Sequence, residues 1–182
     1  MIRSVKILPT GDELKRGSIL DTDSPMIMQA LLRINPDCEI CRCPVLRDDM
    51  ADITAQILHC AAQGADLIVL IGGSGSGHLH SELLGKDFTQ SAMEQLLDQF
   101  ESTSLYGKNG HMWSHLICGI TGHTMVINLP GPYVEAKAAI EAFCNATAET
   151  VSLQEINRAM SEAVAACYKC RSNAVMPENR EE

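Results

Sequence analysis

A chain of 182 residues with 46% hydrophobic content is long enough for one ordinary domain with a sizeable core, and too apolar to be disordered. Aromatics are only 4%, so that core must be mainly aliphatic, with Ala, Met and Cys filling in. A formal charge of −9 excludes the broad basic surface that nucleic-acid binders need, and apolar runs such as Leu67–Ile71 are far too short to span a bilayer. Met1–Leu8 carries no secretory leader pattern, so a soluble, cytoplasmic chain with no nucleic-acid or membrane partner is expected.

The chain has eight cysteines, and Cys38-x-x-Cys41-x-Cys43 and Cys167-x-x-Cys170 have spacings seen in metal sites. The first group falls on an alternating stretch and the second near the end of a helical one. The two need not face each other, and free thiols packed as small hydrophobes are the expectation.

In chain order, Val5–Leu8 predicts a strand that runs out at Pro9-Thr10-Gly11. Ser24-Pro25 supplies a cap and a first-turn proline for a helix carrying Met28, Leu31 and Leu32, stopped by Asn35-Pro36. Cys38–Leu46 alternates as a second strand. Asp48-Asp49 set two carboxylates at a helix start, where the macrodipole favours them. Ile53, Ile57, Leu58 and Ala61 then share one face until Gly64. Ala65–Ile71 is the clearest strand, and its unbroken apolar character predicts burial on both faces, as in a central parallel strand. Phe88–Phe100 is expected to be a helix, Met125–Leu129 a strand, and Tyr133–Cys144 and Leu153–Cys167 two more helices. The alternation predicts an α/β fold: three layers, a mostly parallel sheet with helices on both faces. Residues 1–150 form the domain in this reading, 151–171 a helix packed on it, and 172–182 a flexible tail.

In such sheets ligands gather at the carboxyl ends of the strands. The turn after Ile71 is Gly72-Gly73-Ser74-Gly75-Ser76-Gly77. Glycine admits positive φ and close approach of a ligand, and successive N–H groups in such a turn make a nest for an anion. It is neither a P-loop nor a good dinucleotide fingerprint. Three further loops meet it. Thr10-Gly11-Asp12 leads into Asp21–Ser24, Leu46-Arg47-Asp48-Asp49 precedes a helix, and Pro130-Gly131 closes the late strand. Thr10, Gly11, Asp12, Ser24, Pro130 and Gly131 therefore join the glycines as candidate ligand residues. His78 and His80 alternate in the following loop and can reach phosphate or a metal. Tyr106–Trp113 is a polar-aromatic loop in which Lys108, His111 and Trp113 either wall a ring system or pack as a turn against the core.

Five of these segments, in order, resemble the molybdopterin-binding domain of MoaB/MogA proteins and the third domain of MoeA. Thr10–Leu14 and Asp21–Ser24 are similar to the opening motifs of that domain. Gly72–Gly75 is similar to its Gly-Gly-Thr-Gly turn, Lys86–Ala92 to its Arg-Asp-Val-Thr-Pro-Glu-Ala segment, and Leu129-Pro130-Gly131 to its Leu-Pro-Gly turn. The resemblance covers roughly residues 3–147. It implies a glycine-rich turn that holds the terminal phosphate of molybdopterin. It also implies two catalytic aspartates, here Asp48 and Asp87, that support adenylyl transfer from ATP, with Asp48 and Asp49 offered to Mg²⁺. A homo-oligomer, dimer or trimer, is implied as well.

Two departures stand out. Asp23 lies where the family commonly has asparagine. The family's aspartate register after the glycine turn falls on His80, and aligning Asp87 requires the extra residues Gly77–Gly85. A CinA-like hydrolase of a nucleotide pyrophosphate and a non-catalytic pterin carrier or sensor are the alternatives.

Overall fold

The computed structural model describes residues 2–73, 88–107, 110, 112–169 and 174–175. In chain order its elements are β1 (Ser4–Pro9), α1 (Asp12–Lys15), α2 (Asp23–Ile34), β2 (Glu39–Arg42), α3 (Met50–Ala62) and β3 (Leu67–Ile71). There follow α4 (Phe88–Leu96), β4 (Gln99–Gly107), β5 (Met112–Thr121), β6 (Thr124–Leu129), α5 (Tyr133–Glu149), α6 (Leu153–Lys169) and β7 (Ala174–Val175).

One seven-stranded sheet, ordered β2-β1-β3-β6-β5-β4-β7, runs through the molecule. The first four strands in that order are mutually parallel, and β5, β4 and β7 alternate in direction beyond them. β3 sits in the middle and is buried along its whole length. Leu67, Val69 and Ile71 enter the core beneath α2, α5 and α6, while Ile68 and Leu70 enter the one beneath α3 and α4. This is the three-layer α/β arrangement expected, and the period-2 geometry of a strand is what divides its side chains between the layers.

Four boundaries differ from expectation. β2 is shorter than Cys38–Leu46, because Pro44 has no N–H and the ladder breaks after Cys43 donates to Ile7 O at 2.8 Å. Leu46 then returns as a single parallel bridge to Thr10. α2 begins at Asp23, one residue before Ser24. Its first turn is closed by the Asp21 carboxylate, which accepts the Ser24 N–H at 2.9 Å. α4 ends at Leu96 rather than reaching Phe100. The Asp98 N–H pairs with Ile120 O at 2.9 Å, and the chain continues into β4. α5 runs on to Glu149, past Cys144.

The β4–β5 hairpin was not foreseen. β4 is mostly exposed and rich in Ser, Thr and Glu, so it lacks the apolar run that marks a strand. Between β5 and β6, Gly122 takes φ +58° in a tight turn. Trp113 belongs to β5 and packs against Tyr168 of α6, with ring centroids 3.8 Å apart, which is the core-packing alternative for that segment. Lys108 and His111 lie outside the described residues.

Seven cysteines are free thiols, and Cys170 lies outside the described residues. Burial beside Cys60 pushes the Cys43 thiol up to about 12. No three His, Cys, Asp or Glu side chains converge as a metal cluster would need among the described residues, nor is any described helix long and apolar enough to cross a membrane.

Candidate functional site

The carboxyl ends of β1, β3 and β6 lie side by side, because Pro9 is in register with Ile71 and Ile71 with Leu129. Where these strands end, backbone hydrogen bonds continue into the loops. Thr10 N donates to Ile71 O at 2.9 Å and Gly72 N to Leu129 O at 3.1 Å. On the other flank, Leu46 N donates to Pro9 O at 2.9 Å and Gly11 N to Leu46 O at 3.2 Å. Four loops distant in sequence are thereby fixed to one another at a single edge.

Glycine is required at the centre of this edge. Gly72 has φ +92° and Gly73 φ +64°, in the left-handed region. A Cβ on Gly72 would lie 3.0 Å from Thr10 O and 3.1 Å from Thr10 Oγ1, so β-carbon and loop cannot both fit unmoved. Gly131 approaches from the other side, and a Cβ there would sit 4.0 Å from Gly72 Cα. Thr10 is buried. Its hydroxyl donates to Ile71 O at 3.0 Å and lies 3.5 Å from the hydroxyl of Thr89, in the first turn of α4. The start of α4 is thus tied to the end of β1, a contact that the sequence reading did not identify.

Carboxylates gather on the flank formed by Thr10–Asp12 and Leu46–Asp49. Asp48 Oδ2 accepts the Asp12 N–H at 3.1 Å. Burial pushes the Asp48 carboxyl above its ordinary range, and the charges of Asp12 and Glu13 add to that push against the opposing hydrogen bond from the Asp12 amide. Asp12 itself pairs with Arg16 at 3.0 Å across one helical turn. Asp49 does something different. It is the N-cap of α3, its carboxylate accepting the Asp52 N–H at 2.9 Å.

A second acidic turn lies just before α2. Asp21 Oδ2 accepts from Ser24 Oγ at 2.6 Å and from Arg42 Nε at 2.7 Å. Against the desolvation that partial burial brings, the Ser24 hydroxyl and amide and then Arg42 hold Asp21 below its ordinary range. Asp23 has the opposite fate. Desolvation, then the neighbouring Asp21 charge, raises its carboxyl from 3.8 to about 6, with only the Thr22 hydroxyl opposing. Ser24 is fully buried, so its hydroxyl serves this turn.

The structure therefore brings together Thr10, Gly11, Asp12, Asp48, Gly72, Gly73 and Gly131, with Pro130 beside them. Ser24 and Asp49 are engaged in helix starts. Ser74, Gly75, Ser76, Gly77, His78, His80 and Asp87 lie outside the described residues. Reading the sequence alone missed Thr89 and the Asp21–Arg42 pair. Arg42 falls on an exposed strand position, and nothing in its spacing points to Asp21.

Comparison with known proteins adds an independent line. A family model described as a probable molybdopterin binding domain matches residues 6–150. A CinA-like protein of Anaeromyxobacter sp. (strain K) is 42% identical over 71 residues, which is 39% of this chain and 17% of that protein. A molybdenum cofactor biosynthesis bifunctional protein of Chlorobaculum tepidum is 28% identical over 139 residues, 74% of this chain and 43% of that protein. The chain thus matches less than half the length of either relative. The crystal structure of a molybdopterin biosynthesis enzyme MoaB from Thermus thermophilus superposes with a TM-score of 0.63 at 24% identity, covering 90% of this chain and 97% of that one, and so shares its fold.

Proposed function

Because the chain belongs to the molybdopterin-binding domain family, we propose that its carboxyl edge seats molybdopterin by the terminal phosphate and presents that phosphate to ATP for adenylyl transfer. The observation that carries this reading is the stitching of four loops around Gly72, whose positive φ and contact with Thr10 leave no room for a side chain. A glycine-rich turn recognises an anion through main-chain N–H groups, so an acidic protein needs no basic field to hold a phosphate.

In the proposed reaction a phosphate oxygen of the pterin substrate attacks the α-phosphorus of ATP, and pyrophosphate leaves. Two anions and the carboxylates of Asp12, Glu13 and Asp48 then crowd one edge. Asp48 fits a cation site by its chemistry, being half-buried and already destabilised by two neighbouring acids. Asp48 would hold Mg²⁺, and the ion would supply charge neutralisation to the reacting phosphates. Asp49 fits less well, since its carboxylate closes α3. Thr10 positions the glycine turn through Ile71 O. Asp87 is the second aspartate of the reading by resemblance alone.

Molybdopterin mixed with Mg-ATP and the purified chain should release pyrophosphate, and Asp48→Asn should lower the rate on the order of a hundredfold or more. Retained pterin binding with no pyrophosphate from the wild type would leave a carrier and sink the transferase. The 42% match to a CinA-like protein supports a second reading, hydrolysis of a nucleotide pyrophosphate at the same edge. ADP-ribose with a divalent metal separates the two, since only the hydrolase would cleave it. Self-assembly is part of the same reading. Leu20, in the loop before α2, and Val134, in the first turn of α5, are apolar and exposed, and light scattering should give a dimer or trimer mass.

A further inference from the structure

At the opposite edge, around the amino ends of β1, β3 and β6, the chain forms an open cavity of about 510 Å³ that shares no residue with the site above. It lies between the end of α2, the end of α5 and the start of α6. Its volume falls in the range of small-molecule sites, roughly 300–1,000 Å³. Ile2, Ile120, Met125, Cys144 and Ile156 are among its apolar walls. Ile34 and Val151 also line it and are 47% and 91% exposed, so apolar surface lies open to water there.

Among the described residues Asp66 is the one acid lining the cavity, and no Lys or Arg lines it. Its Oδ2 accepts the backbone N–H groups of Arg3 at 2.7 Å and Ser4 at 3.0 Å, which fixes the carboxylate at the head of β1. Oδ1 has no hydrogen-bond donor among the described residues. Other polar groups of the lining are engaged within the fold. The Asn35 amide donates to Ile2 O at 2.9 Å, the Thr147 hydroxyl to Phe143 O at 2.9 Å, and the Thr150 hydroxyl to Glu155. His123, exposed in the β5–β6 turn, and the buried Cys144 thiol are the other ionisable side chains of the described lining.

An apolar cavity with one oriented carboxylate oxygen discriminates by charge. A ligand carboxylate would meet Asp66 with no Lys or Arg in the described lining to offset the repulsion, and a neutral body would leave the carboxylate partly desolvated and unpaired. An ammonium group satisfies it, while the carbon skeleton covers the open apolar wall. We propose that this cavity is a binding site for a small lipophilic amine, its cation on Asp66 and its apolar body against Met125 and Ile156.

The test is a methyl-detected NMR titration of the full chain with tryptamine, using 3-ethylindole and indole-3-propionate as neutral and acidic comparators. Tryptamine should shift the Met125, Ile156 and Ile120 methyls saturably. The neutral comparator should bind about tenfold more weakly and the acid not at all. Asp66→Asn keeps an acceptor for the Arg3 and Ser4 amides and should reduce tryptamine binding about tenfold, to the level of the neutral compound. Ala148→Trp, on the exposed end of α5 beside the cavity, should block binding while Asp66 is intact. The proposal fails if tryptamine gives no saturable shift, if all three probes bind alike, or if Asp66→Asn changes nothing. It also fails if these methyls shift with protein concentration alone, which would make a second copy of the chain the occupant.

Discussion

β1, β3 and β6 are almost wholly buried and stop abruptly at proline or glycine, while β4 lies largely exposed and turns back through a hairpin into β5. In the first group both faces of each strand are covered by helices, so the only way out for a functional group is the end of the strand. The loops there are short of side chains and rich in backbone hydrogen bonds between loops. In the second group the side chains themselves make the structure. Asn128, fully buried at the seam, replaces part of the β5–β6 ladder by accepting the Ile117 N–H at 2.6 Å and donating to His115 O at 2.9 Å. The parallel half thus builds a main-chain site, and the antiparallel half closes the sheet beside it.

Removing the seam should cost the most. Asn128→Ala removes one buried and one part-buried hydrogen bond to the β5 backbone and should lower stability by about 3 kcal/mol in denaturant melts. Pterin affinity, measured under conditions where the variant is folded, should hold, because the glycine edge is untouched. Gly72→Val strikes the other half. A β-branched residue at φ +92°, with its Cβ 3.0 Å from Thr10 O, should cost about 2 kcal/mol and also abolish phosphate-dependent binding. If both variants lose stability and binding in the same proportion, the division of labour between the halves is wrong.

Asp23 tests the acidic turn by pH. Its folded carboxyl, raised to about 6, holds its proton more tightly than the unfolded chain does near 3.8. The wild type should therefore lose stability as pH rises from about 4 to 6, with no further change from this group above that window. Asp23→Asn should remove that fall. It should match the wild type near pH 3.5 and exceed it by about 2 kcal/mol at pH 7. A variant that tracks the wild type at every pH would contradict the buried-charge account of this turn.

The smallest effect separates adjacent aspartates. Asp49→Ala removes the α3 cap and should cost about 1 kcal/mol with little change in turnover. Asp48→Asn should do the reverse, since a raised carboxyl gives up little stability when made neutral. Equal losses of turnover in both would merge their roles.

Much of the parallel half was legible from residues alone. The unbroken apolar run Ala65–Ile71 pointed to a strand buried on both faces, found over Leu67–Ile71, and Gly72 and Gly73 to a turn at its carboxyl end. Pro130-Gly131 and Thr10-Gly11 announced the neighbouring loops by the same chemistry. The hairpin was hidden for a physical reason. An exposed strand such as Gln99–Gly107 needs few apolar residues, and the helical period of Met93 and Leu97 runs on by chance to Phe100. Within the site, the glycines showed because their function is conformational, whereas roles set by long-range contact did not show. Ser24 looks like a ligand hydroxyl until Asp21 is seen to hold it, and nothing in the order of residues pairs Thr10 with Thr89.

The central claim is that the edge around Gly72 grips its ligand by phosphate. Isothermal titration of the chain with molybdopterin, and then with the same pterin after enzymatic removal of the terminal phosphate, tests it directly. Loss of the phosphate should weaken binding at least about a hundredfold, equivalent to roughly 2.7 kcal/mol. Equal affinity for the two forms would place the grip elsewhere and contradict the account.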